Sequence, residues 1–243
     1  MSILGSILAW FGDASNWSGP NGIPTRIAEH VGYSALAMLI AAAIAVPLGL
    51  VLGHLHRGEV VVLSLANAIR ALPTLGLLTL VVILSGIGLL PPLIALVVMA
   101  VPPMLVNSFE SVRNVDPLLV DGARGMGLTS RQVLWRVEVP ASLPLILLGV
   151  RLAAIQVVSA ATIAAYVGLG GLGRYIFDGL SLRQYDTVAG GAVLAALLAI
   201  FTEALLLGIS SSVVSPGVAR RPRPFQALGN RARRTTEPRE VRR

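Results

Sequence analysis

The chain of 243 residues has no cysteine, which excludes disulfides and thiolate metal sites and leaves the redox compartment open. It has no lysine either: all nineteen basic residues are arginine, a bias of composition rather than of chemistry. Charged residues make up only 13% and aromatic residues 5%, against a hydrophobic share of 55% and a mean hydropathy of +0.79. Ordinary soluble domains carry about 25% charge, so scarcity of charge excludes that class and makes an all-α integral membrane protein the expectation. The net charge of +7 would point to nucleic acid in a soluble protein, but nine of the nineteen arginines follow Ala219. No nucleophile–base pair and no spaced acidic or histidine cluster stands out, so no catalytic residue and no metal ligand is assigned.

What is present is a series of apolar runs long enough to cross a hydrocarbon core of about 30 Å. They cover residues 30–53, 60–85, 91–107, 140–167 and 187–212. That makes five spans, or six if Pro73 splits the second. The pairs Pro91-Pro92 and Pro102-Pro103 are expected to bend or delimit the third. Residues 1–12 lack a basic n-region and a small-residue cleavage site, so they are expected to stay on the mature protein as part of an N-terminal interfacial segment, residues 1–28. Trp10, Phe11 and Trp17 suit a segment at the membrane interface. Residues 213–243 form a basic tail of Arg, Pro, Thr and Glu, expected to be disordered and attracted to anionic lipid. With the N-terminus outside, inner segments hold fourteen arginines and outer segments three, which puts the charged loop and the tail in the cytoplasm.

That charged loop, residues 110–139, carries local signals for two short helices. Asp116 before Pro117 is an N-cap with proline at the first helical position, and Gly127 suits a left-handed helix end. Thr129 and Gln132 have the spacing of a capping box. Pro140 is expected to start the next span, and Leu118, Leu119, Leu128, Val133 and Leu134 offer apolar anchors. An apolar helical knob of this kind needs a partner groove.

The stretch Asp121-Gly122-Ala123, three residues, Gly127, nine residues, Val137-Glu138-Val139-Pro140 resembles the coupling-loop motif of ABC importer permeases. That family's pattern is Glu-Ala-Ala, three residues, Gly, nine residues, then Ile, any residue, Leu-Pro. The spacing matches throughout; Asp replaces Glu, Gly122 the first Ala, and Val both Ile and Leu. The resemblance implies a type I ABC importer permease fold over residues 29–212. It also implies docking of a separate ATPase at Leu118, Asp121, Gly122, Ala123, Gly127, Leu128 and Pro140. A rival likeness of Asp121-Gly122-Ala123-Arg124 to membrane phosphatidyltransferases fails, because the next acidic residues are Glu138 and Asp178, too few and too far to hold a divalent cation.

The run Gly168-Leu169-Gly170-Gly171-Leu172-Gly173 lacks the Lys-Ser/Thr of a phosphate loop. With Tyr166-Val167 before it and Arg174-Tyr175-Ile176-Phe177 after, it looks like the glycine-rich re-entry of permeases for methionine and for compatible solutes. Tyr166, Gly168, Gly170, Gly171 and Gly173 are therefore candidate pathway or gate residues, the bland alternative being a flexible outer loop. Arg70, just before Leu72-Pro73-Thr74, either faces the pathway with Pro73 or reaches the cytoplasmic surface. Arg151 and Glu203 pose the same question in later spans; being of opposite charge they could pair, since each alone would be costly. His54 and His56 read as interfacial residues.

The runs Ala71-Leu72-Pro73-Thr74-Leu75, Gly86-Ile87-Gly88-Leu89-Leu90-Pro91 and Arg113-Asn114-Val115-Asp116-Pro117 resemble the osmoprotectant permeases, importers of glycine betaine, choline or carnitine. That implies a bacterial cytoplasmic membrane, a second permease subunit, two ATPases that hold ATP and Mg, and an extracytoplasmic binding protein. No cofactor is expected on this chain. Quaternary ammonium groups are held by aromatic cages, so scarce aromatics assign solute selection to the binding protein, with Tyr33, Tyr166 and Tyr175 the available rings. The alternatives are an importer of methionine or another small polar solute and, in a different class, a secondary transporter or channel, for which the spans lack inverted-repeat pairing.

Overall fold

A chain crossing lipid must satisfy every backbone N–H and C=O internally, and a helix does so segment by segment. The computed structural model describes residues 3–86 and 88–213, and every regular element among them is helical. The expected disordered tail lies, from residue 214 on, outside the described residues, as does Ile87.

Among the described residues four helices are long and apolar enough to cross a membrane: α2 (Ile23–His54), α5 (Leu90–Arg113), a continuous helix Ser130–Val167, and α10 (Tyr185–Val213). A bent pair, α3 (Glu59–Ala71) and α4 (Thr74–Ser85), meets at 92° and makes a fifth crossing if the two halves form one broken span rather than a re-entrant loop. At 13 and 12 residues neither half reaches the roughly 20 needed to span alone, so Pro73 does not split the pair into two crossings. The break falls at Leu72 and Pro73, both extended with ψ of 129° and 131°. Proline disfavours helix in the residue before it and has no N–H to continue one.

α5 is the axis of the bundle, packed against α2 on one side and α8 (Val139–Ala164) on the other, with α3 and α4 against it too. Pro91 and Pro92 sit in its first turn, where a missing N–H costs nothing. Pro102 and Pro103 do not delimit it; they are buried inside a helix that continues to Arg113. α2 approaches α5 closely because it presents Gly49 and Gly53. A Cβ there would stand 2.8 Å from the Leu105 carbonyl oxygen and 2.6 Å from that of Phe109, the small-residue contact by which helices pack in lipid.

α1 (Ile3–Gly12) packs on α10. Trp10 is only 6% exposed, edge-on to Phe11 at 5.1 Å and to Tyr175 at 5.3 Å, and set over Gly190 of α10. Its ring therefore meets protein rather than the membrane interface. Trp17 is half-exposed and its indole N–H donates to the Phe11 carbonyl at 2.8 Å.

Candidate functional site

Beyond α5 the chain turns into α6 (Pro117–Gly125), whose first turn is capped by Asp116 accepting from the Leu118 N–H at 3.0 Å. Gly127 has φ of +83°, the left-handed region that favours glycine, while the Leu128 N–H closes the turn onto the Ala123 carbonyl at 3.2 Å. Next comes α7 (Ser130–Val133) with its capping box: the Thr129 N–H donates to Gln132 Oε1 at 2.8 Å and the Gln132 N–H to Thr129 Oγ1 at 3.4 Å.

This turn presents Leu118, 80% exposed, Met126, 76% exposed, and the exposed Leu119, Asp121, Gly122 and Gly127; Leu128 is partly exposed. Ala123 is different. At 1% exposure it is buried, on an element that packs against α7 and the π turn, so its small side chain lets α6 sit down. Val133 and Leu134 are likewise buried, Leu134 in a cluster with Leu50, Val112 and Ile146. Leu134 anchors the loop to α2, α5 and α8, and neither side chain is offered as a knob.

Pro140 does not open a new span. α7 runs through a π turn, Leu134–Glu138, straight into α8, and the Val139 N–H reaches back to the Leu134 carbonyl. Pro140 lacks a donor for the Arg136 carbonyl and its ring would crowd that carbonyl in a regular α-helix, which a wider turn relieves. At the end of this turn Glu138 is 2% exposed and bound to His54 Nδ1 at 2.6 Å, while His54 Nε2 meets Ser130 Oγ at 2.7 Å. Arg113 pairs with Glu59 and lies over the Phe109 ring. Between α5 and α6 lies a cleft of about 230 Å³ whose lining mixes Val112, Val115 and Val120 with His56, Arg113 and Asp121.

At the opposite end of the bundle the glycine run is a fitted joint. Gly168, at φ +98°, ends the helix. A Cβ on Gly170 would stand 2.5 Å from Glu29 Oε2, and the Gly171 N–H donates to that same oxygen at 2.8 Å. Gly171, at φ +86°, lies on His30, and a Cβ on Gly173 would run into the Thr162 carbonyl. The buried His30 accepts from the Leu172 N–H through Nδ1 at 3.3 Å. That leaves the proton on Nε2, which donates to the Val158 carbonyl at 3.0 Å. Glu29 also pairs with Arg26 at 2.8 Å.

Among the three available tyrosines, Tyr33 packs against the core and Tyr175 donates its hydroxyl to the Asn21 carbonyl at 2.6 Å. Burial pushes the Tyr175 phenol above its ordinary pKa. Tyr166 is 61% exposed, with its ring 5.3 Å from that of Phe177. Arg70 is exposed in the last turn of α3, beside the break at Pro73, with no ion pair among the described residues. Arg151 of α8 and Glu203 of α10 do meet, Nε to Oε1 at 3.1 Å.

The family model of the binding-protein-dependent transport system inner membrane component matches residues 45–220, which takes in both the capped turn and the glycine joint. The chain belongs to this family. A carnitine transport permease protein of Listeria monocytogenes is 37% identical over 80% of this chain and 89% of its own length. A choline transport system permease protein of Bacillus subtilis is 35% identical over 79% and 88%. A glycine betaine/carnitine/choline transport system permease protein of the same organism is 34% identical over 79% and 88%. Among solved structures, an inward-facing methionine ABC transporter matches with a TM-score of 0.70 at 21% identity, over 79% of this chain and 96% of that one. The fold is thus that of ABC importer permeases, and the chain is a multi-pass membrane protein.

For a transport permease, the residues missed from sequence are informative. Met126 and Trp135, 76% and 56% exposed, extend the apolar surface of the turn; both lie in a segment whose polar neighbours had marked it as loop. His54 and Glu138 had no signal. Glu138 fills the unspecified position of the motif, and its partner is 84 residues away. Among the described residues no group of three or more His, Asp or Glu is placed to hold a metal ion.

Proposed function

We propose that this chain is the permease subunit of an ATP-driven importer of osmoprotectants of the glycine betaine, choline and carnitine class. The observation that carries this reading is the likeness, at 34–37% identity over about four fifths of the chain, to permeases named for those three solutes. The methionine transporter is 21% identical and speaks for the fold alone.

In this reading the end that carries α6 and α7 faces the cytoplasm. Arg57, Arg113, Arg124, Arg131 and Arg136 gather there, in keeping with the excess of arginine on cytoplasmic loops. The N-terminus and the glycine joint then face outward, toward an extracytoplasmic binding protein, and the C-terminus is on the cytoplasmic side. A separate ATPase, which holds ATP and Mg, docks on the capped turn through Leu118, Leu119, Asp121, Gly122, Met126, Gly127 and Leu128. Ala123 and Pro140 set the shape of that surface from within. A second permease subunit completes the pathway, which residues 29–212 line, with Arg70, Pro73 and Tyr166 as its candidate residues and the glycines as its outer joint.

The test is reconstitution of the chain with its ATPase and binding protein in proteoliposomes. ATP-dependent uptake of labelled betaine, choline or carnitine, unaffected by excess methionine, is expected. Uptake of methionine alone would reassign the substrate, and gradient-driven uptake without any ATPase would remove the chain from this mechanism.

A further inference from the structure

The two halves of the capped turn are held very differently. α6 buries a single residue, Ala123; it packs on α7 and the π turn and is separated from α5 by the cleft. The segment from Ser130 to Glu138 buries Val133, Leu134 and Glu138. One imidazole spans that second segment: His54, the last residue of α2, reaches Ser130 at its start and Glu138 at its end. Glu138 is almost wholly buried, and a buried carboxylate is tolerated only when paired. Just upstream, Gly53 presses α2 onto the backbone of α5. Anything that pushes the second half of the turn therefore pushes α2 through His54.

We propose that His54 is a positioning residue for coupling: it clamps the α7 segment and its π turn to the inner end of α2, so that these move as one body while α6 acts as the lever that a partner grips. The transport part of this inference rests on the function proposed above; the clamp itself does not.

The first measurement is amide hydrogen exchange of the purified full chain in detergent. Hydrogen bonds to a charged group contribute enough that His54→Ala should speed exchange over residues 130–138 by about tenfold, with residues 117–125 unchanged. His54→Gln, which keeps a donor for Glu138 and an acceptor for Ser130, should restore the wild-type rate. Unchanged exchange in His54→Ala overturns the clamp. The second measurement is uptake by the reconstituted complex. His54→Ala should retain bound ATPase and basal hydrolysis but lower uptake by about tenfold, again rescued by His54→Gln; loss of the ATPase together with uptake would show a merely structural role and overturn it. Because the chain has no cysteine of its own, a His54→Cys/Ser130→Cys pair bridged by a short bifunctional thiol reagent tests the single body directly. Bridging should restore uptake, and further inhibition on bridging overturns the proposal. The exchange measurement needs neither solute nor ATPase. A complex that carries none of the proposed solutes would therefore sink the function while exchange still decides the clamp.

Discussion

At the scale of single residues, the glycines of the two candidate sites are required for different reasons. Gly127 has open space where a Cβ would be and a φ of +83°, so only backbone conformation restricts it. Gly127→Val should cost about 1–2 kcal/mol, confined to the turn. Membrane insertion should survive, and binding-protein-stimulated ATP hydrolysis by the complex should be lost; stimulation that persisted would separate the turn from coupling. Gly171 combines φ of +86° with a Cβ contact on His30 and so tolerates less. Arg151 and Glu203 make a different case. Each is only partly exposed, at 26% and 31%, and the Glu203 Oε2 atom is buried without a hydrogen bond. Removing one charge strands the other at bilayer depth, at a cost of roughly 2–3 kcal/mol. Unfolding midpoints in detergent should therefore fall in Glu203→Ala and recover partly in the double alanine variant; additive losses would show that the pair is not coupled.

Among the elements, the helix from Ser130 onward has the most specific construction. A π turn is equivalent to one inserted residue, so replacing it by regular α-helix would rotate α7 against α8 by about 100°. Pro140→Ala restores the missing donor and removes the clash that favours the wide turn. We expect it to swing Ser130 away from His54 and to uncouple hydrolysis from uptake, read as continued ATP hydrolysis with reduced solute accumulation. The α2–α5 contact is the second such element. Gly53→Leu would force Phe109 and Val112 away from α2, and overpacking of this kind costs about 1–3 kcal/mol. A lowered thermal midpoint in detergent, with Gly32→Leu as an open-space control, checks it.

For the whole molecule, orientation is directly measurable because single cysteines can be added to a cysteine-free chain. A cysteine at Met126 should react with membrane-impermeant reagent only from the cytoplasmic side, and one at Trp17 only from outside; the reverse pattern would invert the proposed topology. Much at this scale follows from local chemistry. The long apolar runs, the loop's caps at Asp116, Gly127, Thr129 and Gln132, and the break at Pro73 follow from it, because each depends on residues within a few positions of one another. The Asp-Gly-Ala and Gly spacing likewise sufficed to place the chain among importer permeases. Only the tertiary structure decided that Ala123, Val133 and Leu134 face inward, that Trp10 meets α10, that Pro140 continues a helix, and that Gly170 and Gly171 are shaped around Glu29 and His30. It also joined His54 to Glu138 and Arg151 to Glu203. Two physical reasons account for this. An apolar run in lipid is hydrophobic all round, so periodicity no longer tells the buried face from the exposed one, and contacts between residues far apart in the chain are set by how the helices pack.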